Sequence, residues 1–222
     1  MKFNYVELKA ELIPGIGRIY ETPERKHYAS ITTILGATME AKKRETLKNW
    51  SQSIGVEKAE KITQEAADKG TNVHLMIEHK LLGRSLDYAD FPAVDVSAFK
   101  TLLPKLKNID EVWGLEVPLY SDLLEVAGRT DCVGIYKCKP CIIDFKTSRR
   151  LKNDDDISDY KLQLAFYSVA HNERFGTDIE DGVILMTAAE GFPMEFRVDL
   201  IPEIERLVAR IDEYYNKLAQ SA

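Results

Sequence analysis

The sequence predicts an α/β protein: a small mixed β-sheet flanked by helices, with an N-terminal helical addition. Three observations carry that prediction. Apolar residues recur at helical spacing through much of the first half, most clearly from Val56 to Leu82. Three strand-like runs then succeed one another between Ile109 and Thr147, separated by short turns. Beyond them, helical and strand patterns alternate to the end of the chain.

Taken in order, the residues up to about Ser30 read as irregular or strand-like, with Pro14-Gly15-Ile16-Gly17 marking a turn. Short helices follow from Ser30 to about Gly36 and from about Glu40 to Ile54. The third helix, Val56 to Leu82, sets Ala59, Ile62, Ala66, Val73, Ile77 and Leu81 near one apolar stripe, and Leu82-Gly83-Arg84 ends it. Asp95 to Lys107 is helical. Strands then occupy roughly Ile109–Ser121, Leu124–Tyr136 and Pro140–Thr147, and Lys137-Cys138-Lys139-Pro140 turns the second back into the third. A helix from about Ser158 to Phe175 precedes strands near Gly182–Ala188 and Met194–Leu200. Ile204, Leu207, Val208, Ile211 and Leu218 give a closing amphipathic helix. One domain spanning 1–222 accounts for all of this: 1–108 is its mainly helical part, and 109–222 its sheet core and last helix.

Composition narrows the function classes. A chain of 222 residues, 45% hydrophobic, buries a full core, and no apolar run approaches a membrane span. Met1-Lys2-Phe3-Asn4-Tyr5-Val6-Glu7 has neither a signal-peptide core nor an Arg-rich transit pattern, so the expected compartment is the cytoplasm. A net charge of −6 argues against coating nucleic acid non-specifically, so any phosphate binding must be local. The local patches are Lys42-Lys43-Arg44 with Lys48, where Glu40 and Glu45 interleave, and Arg149-Arg150 with Lys152. Asp154-Asp155-Asp156 reads as loop and helix N-terminal acids. Cys132, Cys138 and Cys141 lie in and around the proposed hairpin without a fourth partner. They read as reduced, small apolar residues, holding neither zinc nor an iron–sulfur cluster.

The residues with chemistry sit on that hairpin. Asp144 and Lys146 are two apart on a strand and share a face, and Asp131 ends a stretch that reads as the preceding antiparallel strand. Two carboxylates converging on a hard cation beside an ammonium suit metal-assisted phosphodiester hydrolysis. An Asp-x-Lys triplet alone is weak, since such charges commonly flank strands in solvent. Upstream, His74 lies on or beside the helical stripe, four residues after Gly70. A lone helical histidine is more often a packing residue than a ligand. Glu78, one turn on, is either its hydrogen-bonding partner or a surface acid. Downstream, Gln163 and Tyr167 share a helix face, where an amide and a phenol can bond phosphate or sugar oxygens.

In combination these motifs resemble the PD-(D/E)xK nuclease superfamily. They run Gly70-x-x-x-His74, Gly128-x-x-Asp131, Asp144-x-Lys146 and Gln163-x-x-x-Tyr167. More narrowly they resemble its RecB-like exonuclease branch, which includes phage exonucleases and the mitochondrial genome maintenance exonuclease. The resemblance spans less than half of the chain and implies a restriction-endonuclease-like core. It implies that His74, Asp131, Asp144 and the Phe145 carbonyl bind metal, Mg²⁺ with Mn²⁺ as substitute. Lys146 is then the catalytic lysine, Gln163 and Tyr167 shape the site and touch substrate, and Arg149 and Arg150 hold the backbone. Glu116 matches a position often acidic in this branch. The implied activity is exonucleolytic cleavage of single-stranded DNA to 5′-phosphates in replication, recombination or repair, in a bacterial cell or phage-infected host. Residues 40–82 would cover the strand, with Trp50 and Tyr88 either stacking bases or packing. The alternatives are an inactive DNA-binding subunit of this fold and an RNA- or junction-specific endonuclease. A helicase or recombinase partner is unassigned.

Overall fold

A computed structural model describes residues 2–188 and 191–221. Among these residues eight strands form one mixed sheet: β1 (Lys9–Ile13), β2 (Gly17–Glu21), β3 (His27–Ser30), β4 (Ile109–Ser121), β5 (Val126–Tyr136), β6 (Lys139–Thr147), β7 (Asp181–Thr187) and β8 (Pro193–Asp199). Among the described residues six α-helices accompany them: α1 (Ile31–Ala37), α2 (Ala41–Ile54), α3 (Val56–Leu81), α4 (Ala93–Leu106), α5 (Ser158–Phe175) and α6 (Ile201–Ser221). The strands run in the order β1-β2-β3-β5-β6-β7-β8, and β4 pairs with β5.

This is the α/β architecture expected, with a larger sheet. The segment before residue 30 contributes three strands, so the N-terminal part of the chain is not merely a helical addition. Lys9–Ile13 is an edge strand exposed along nearly all its length, so it lacks the apolar alternation that marks a half-buried strand. Of the neighbouring strands, Tyr20, Tyr28, Ala29 and Ser30 are anchored in the interior.

Period-two alternation builds two cores. On one face of the sheet Val133, Ile142, Ile184 and Met186 pack under α5 and α6. On the other, Cys132, Ile143, Phe145 and Leu185 pack against Val73, Met76 and Ile77 of α3 and Phe99 and Leu102 of α4. The β5–β6 hairpin closes through Lys137 and Cys138, at φ 48° and 67°, the positive dihedrals that tight antiparallel turns require. Cys132 and Cys141 are buried and Cys138 is exposed on this turn.

Two features position the site. β4 lines one edge of β5 along its whole length, so β3 and β6 must share the other edge. β3 meets it at Val126 and Ala127, and β6 only from Cys132 onward. Residues 128–131 therefore lie in a fork between two strands. Second, α2 buries none of its residues, and the part of α3 before Val73 buries only Ala59, so this arm stands off the body of the protein. Lys43 Nζ, 2.5 Å from Asp159, ties it to the first turn of α5. No described helix is long and apolar enough to cross a membrane.

Candidate active site

The fork gathers the chemistry. Cys132 pairs with Ile143, so the next positions outward are Asp131 and Asp144, where β5 and β6 part. Asp131 Oδ2 accepts the Phe145 backbone N–H at 2.7 Å, replacing a strand-to-strand bond with one from a side chain. His74, projected from α3, donates an imidazole N–H to the Phe145 carbonyl at 2.8 Å and places Nδ1 3.6 Å from Asp131 Oδ1. His74 is held there because its neighbours Val73, Met76 and Ile77 anchor α3 in the core.

Glu116 completes the group. Ligand atoms of His74, Glu116 and Asp131 lie within 4.8 Å of one another. On β4, Leu115 pairs with Cys132 and Val117 with Thr130, leaving Glu116 opposite Asp131. Its φ is 50°, a left-handed conformation unusual for a residue with a side chain. Burial, then the nearby Asp131 charge, raises its pKa above the ordinary carboxylate value. Glu78 lines the same cleft of about 500 Å³, together with Gly70, Thr71, Leu75, His74 and Glu116, but stands outside the group of three.

Asp144 and Lys146 share a face of β6 as their spacing demands, and Lys146 Nζ donates to Asp144 Oδ1 at 2.5 Å. Asp144 is only 3% exposed, and its Oδ2 is buried without a hydrogen-bond partner. Desolvation raises its pKa well above that of a free aspartate, against the opposing pull of Lys146. Burial disfavours the Lys146 ammonium, but Asp144 and Asp131 outweigh that and keep it charged. The metal set expected was His74, Asp131, Asp144 and the Phe145 carbonyl. The structure clusters His74 and Asp131 with Glu116, while Asp144 turns one oxygen to Lys146 and leaves the other bare. An orphaned buried carboxylate oxygen beside a His/Glu/Asp group fits a divalent cation, since burying such an oxygen unpaired is costly.

The remaining expected residues surround this centre unequally. Tyr167 is 2% exposed and donates its hydroxyl to the Arg129 carbonyl at 2.7 Å, so it braces the fork from behind. Direct contact with substrate, expected of Tyr167, is not what this burial offers. Gly128 is required at that crossing, because a Cβ there would lie 2.9 Å from the Tyr167 ring and hydroxyl. Gln163 donates its amide to the Tyr167 hydroxyl at 3.4 Å. Gly70 permits a looser approach, with Thr147 Oγ1 3.8 Å from an ideal Cβ. Arg149 bonds the Ile62 carbonyl at 3.0 Å and lies 3.4 Å from Glu65, and Arg150 forks onto Asp156. Both arginines are exposed beyond the catalytic strand. Two residues escaped the sequence reading. Tyr160 lies under the Lys146 ammonium, 5.2 Å from ring centroid to Nζ, and Arg129 grips the Glu116 carbonyl. The only sequence signal for either was proximity to a motif.

No protein-family model matches the chain. It is 28% identical over 211 residues to mitochondrial genome maintenance exonuclease 1 of Xenopus tropicalis, covering 88% of this chain and 61% of that protein. It is 26% identical over 178 residues to the Homo sapiens protein of the same name, covering 77% and 52%. The chain thus spans between half and two thirds of the length of these relatives. A crystal structure of a protein from Eubacterium rectale aligns with 70% of this chain and 66% of its own, at a TM-score of 0.49 and 12% identity, a likeness too remote to argue from. The relatives matched in sequence are exonucleases by name, and the chain is similar to them over most of its length.

Proposed function

We propose that the chain is a single-domain, divalent-metal-dependent DNA nuclease that degrades single-stranded DNA from an end and leaves 5′-phosphates. The observation that carries this reading is the convergence of His74, Glu116 and Asp131 at the strand fork beside the buried Asp144–Lys146 pair. His74, Glu116, Asp131, Asp144 and the Phe145 carbonyl would hold the metal, Mg²⁺ by the oxygen-rich donor set and Mn²⁺ as a substitute through the imidazole. Such an ion, when bound, lowers the pKa of a water and neutralises phosphate charge.

The chain's own groups do the rest. Lys146 presents a charged donor where negative charge develops on the attacked phosphate, and Asp144 and the Tyr160 ring orient it. Tyr167, through the Arg129 carbonyl, holds the strand that carries Asp131. Arg149 and Arg150 follow β6 after Ser148 and would meet the neighbouring phosphates. The resemblance to RecB-like exonucleases favours a single strand over a duplex, with residues 40–82 as its cover. The similarity to mitochondrial genome maintenance exonucleases favours DNA as substrate, in replication, recombination or repair.

The test uses end-labelled single- and double-stranded DNA and RNA with Mg²⁺, Mn²⁺ or EDTA. Cleavage from single-stranded DNA ends in either metal, abolished by EDTA and by Asp144→Asn, is the expected result. Undiminished cleavage in EDTA or by that variant refutes the mechanism. Tight DNA binding without cleavage of any substrate makes the chain a binding subunit.

A further inference from the structure

We infer that Arg129 is the positioning residue that holds Glu116 in the metal cluster. The inference rests on the metal site proposed above and extends it to a residue that touches neither metal nor substrate. Glu116 sits on β4, whose extended course would leave its carboxylate in register with the strand rather than aimed into the cleft. It joins His74 and Asp131 because its backbone turns to φ 50°. A residue with a Cβ does not hold that conformation unaided; something around it must over-determine it.

Arg129 supplies the constraint. Its guanidinium donates through Nη1 to the Glu116 carbonyl at 2.6 Å, a charge-assisted bond to the distorted peptide itself. Arg129 and Asp131 are two apart on β5 and both are half-buried, so the arginine reaches across to β4 on the side where Asp131 enters the cluster. Its backbone is immobilised in turn, because the Arg129 carbonyl accepts the Tyr167 hydroxyl at 2.7 Å. The second arm of the guanidinium pairs with Glu7, which is 70% exposed in its side chain and contributes little. Arg129 is thus pinned behind and hooked in front. Cutting the hook frees Glu116 to relax to an extended conformation and swing away.

Direct repulsion between the Arg129 charge and a cation predicts the opposite outcome, which makes the inference decisive to test. A positive charge near a cation site repels the cation, so an arginine without a positioning role would raise affinity when removed. The experiment is titration of the purified protein with Mn²⁺, read by calorimetry and by the Mn²⁺ paramagnetic resonance signal. It compares wild type with Arg129→Ala, Arg129→Lys, Glu116→Gln, Glu7→Gln and the double variant Arg129→Ala/Glu116→Gln. Arg129→Ala should weaken Mn²⁺ binding on the order of tenfold, as loss of groups that orient metal ligands does. The double variant should bind no more weakly than Glu116→Gln alone, because the arginine acts only through that carboxylate. Arg129→Lys should recover most of the affinity, since an ammonium can still donate to the carbonyl, and Glu7→Gln should leave it unchanged. Equal or tighter binding by Arg129→Ala overturns the inference, as do losses that multiply in the double variant. If wild type binds Mn²⁺ and these variants disobey, only the role of Arg129 falls. If wild type binds no Mn²⁺, the metal reading falls with it.

Discussion

Stability should drop in mild acid because of one buried histidine. His171 on α5 is fully buried beneath Phe3, Tyr5, Trp113 and Phe175; its Nε2 lies 3.1 Å from the Tyr5 hydroxyl and its Nδ1 2.7 Å from the Thr177 hydroxyl. No carboxylate is among these partners to welcome a proton, and burial pulls its pKa down to about 4 from an unperturbed 6.5. The folded pKa is depressed, so the unfolded chain binds the extra proton first, and stability falls as pH drops through 6.5 and levels off below about 4. With those two values, linkage gives about 0.2 kcal/mol already lost at pH 7 and about 2 kcal/mol at pH 5. His171→Phe keeps an aromatic ring in the cluster but cannot titrate. Urea unfolding of both proteins at pH 7 and pH 5 should show wild type losing about 2 kcal/mol more than the variant over that interval. Acids elsewhere titrate in both proteins and cancel. The same pH slope in both would refute the argument that burial keeps this imidazole neutral.

Lys146→Ala should lower turnover by a factor on the order of 10²–10³ while DNA affinity stays nearly unchanged, the pattern of a group that matters most in the transition state. Affinity falling in proportion to rate, in a binding assay on an uncleavable strand, would make it a phosphate-binding residue instead. Replacing Arg149 and Arg150 together by Ala should weaken DNA binding and flatten its dependence on salt, measured by fluorescence anisotropy over a salt series, because fewer counterions are released. Gly128→Ala should cost about 1–3 kcal/mol in urea unfolding, since its methyl would meet the buried Tyr167 side chain at 2.9 Å.

The hairpin was legible because its signals are local. The two-residue spacing of Asp144 and Lys146 and the short Lys137–Cys138 turn depend only on neighbours in sequence, and the structure has the turn and the shared face where the pattern put them. The α3 stripe was equally local where it meets the sheet, at Val73 and Ile77, and with it the orientation of His74. Ile62 is only half-buried and Ala66 exposed, because that half of the helix has no core to pack on. What stayed hidden is long-range. Glu116 could be named as an acid on a strand, but the left-handed backbone that aims it follows from Arg129 reaching across from the next strand. The burial of Tyr167 depends on the crossing of α5 over Gly128, which no periodicity in either segment encodes. The exposed strand at Lys9–Ile13 gains its structure from hydrogen bonds to β2 rather than from an apolar face.

The arm of α2 has a thermodynamic consequence. A 14-residue helix with no buried residue gains almost nothing from tertiary packing, and helices of that length are marginal when left to their own hydrogen bonds. Its amides should exchange with solvent orders of magnitude faster than those of α5, and a protease should nick it first. Lys43 holds this loosely folded span to the first turn of the helix that bears Gln163 and Tyr167. Ordering of the arm is thereby coupled to the first turn of α5 through the Lys43–Asp159 ion pair.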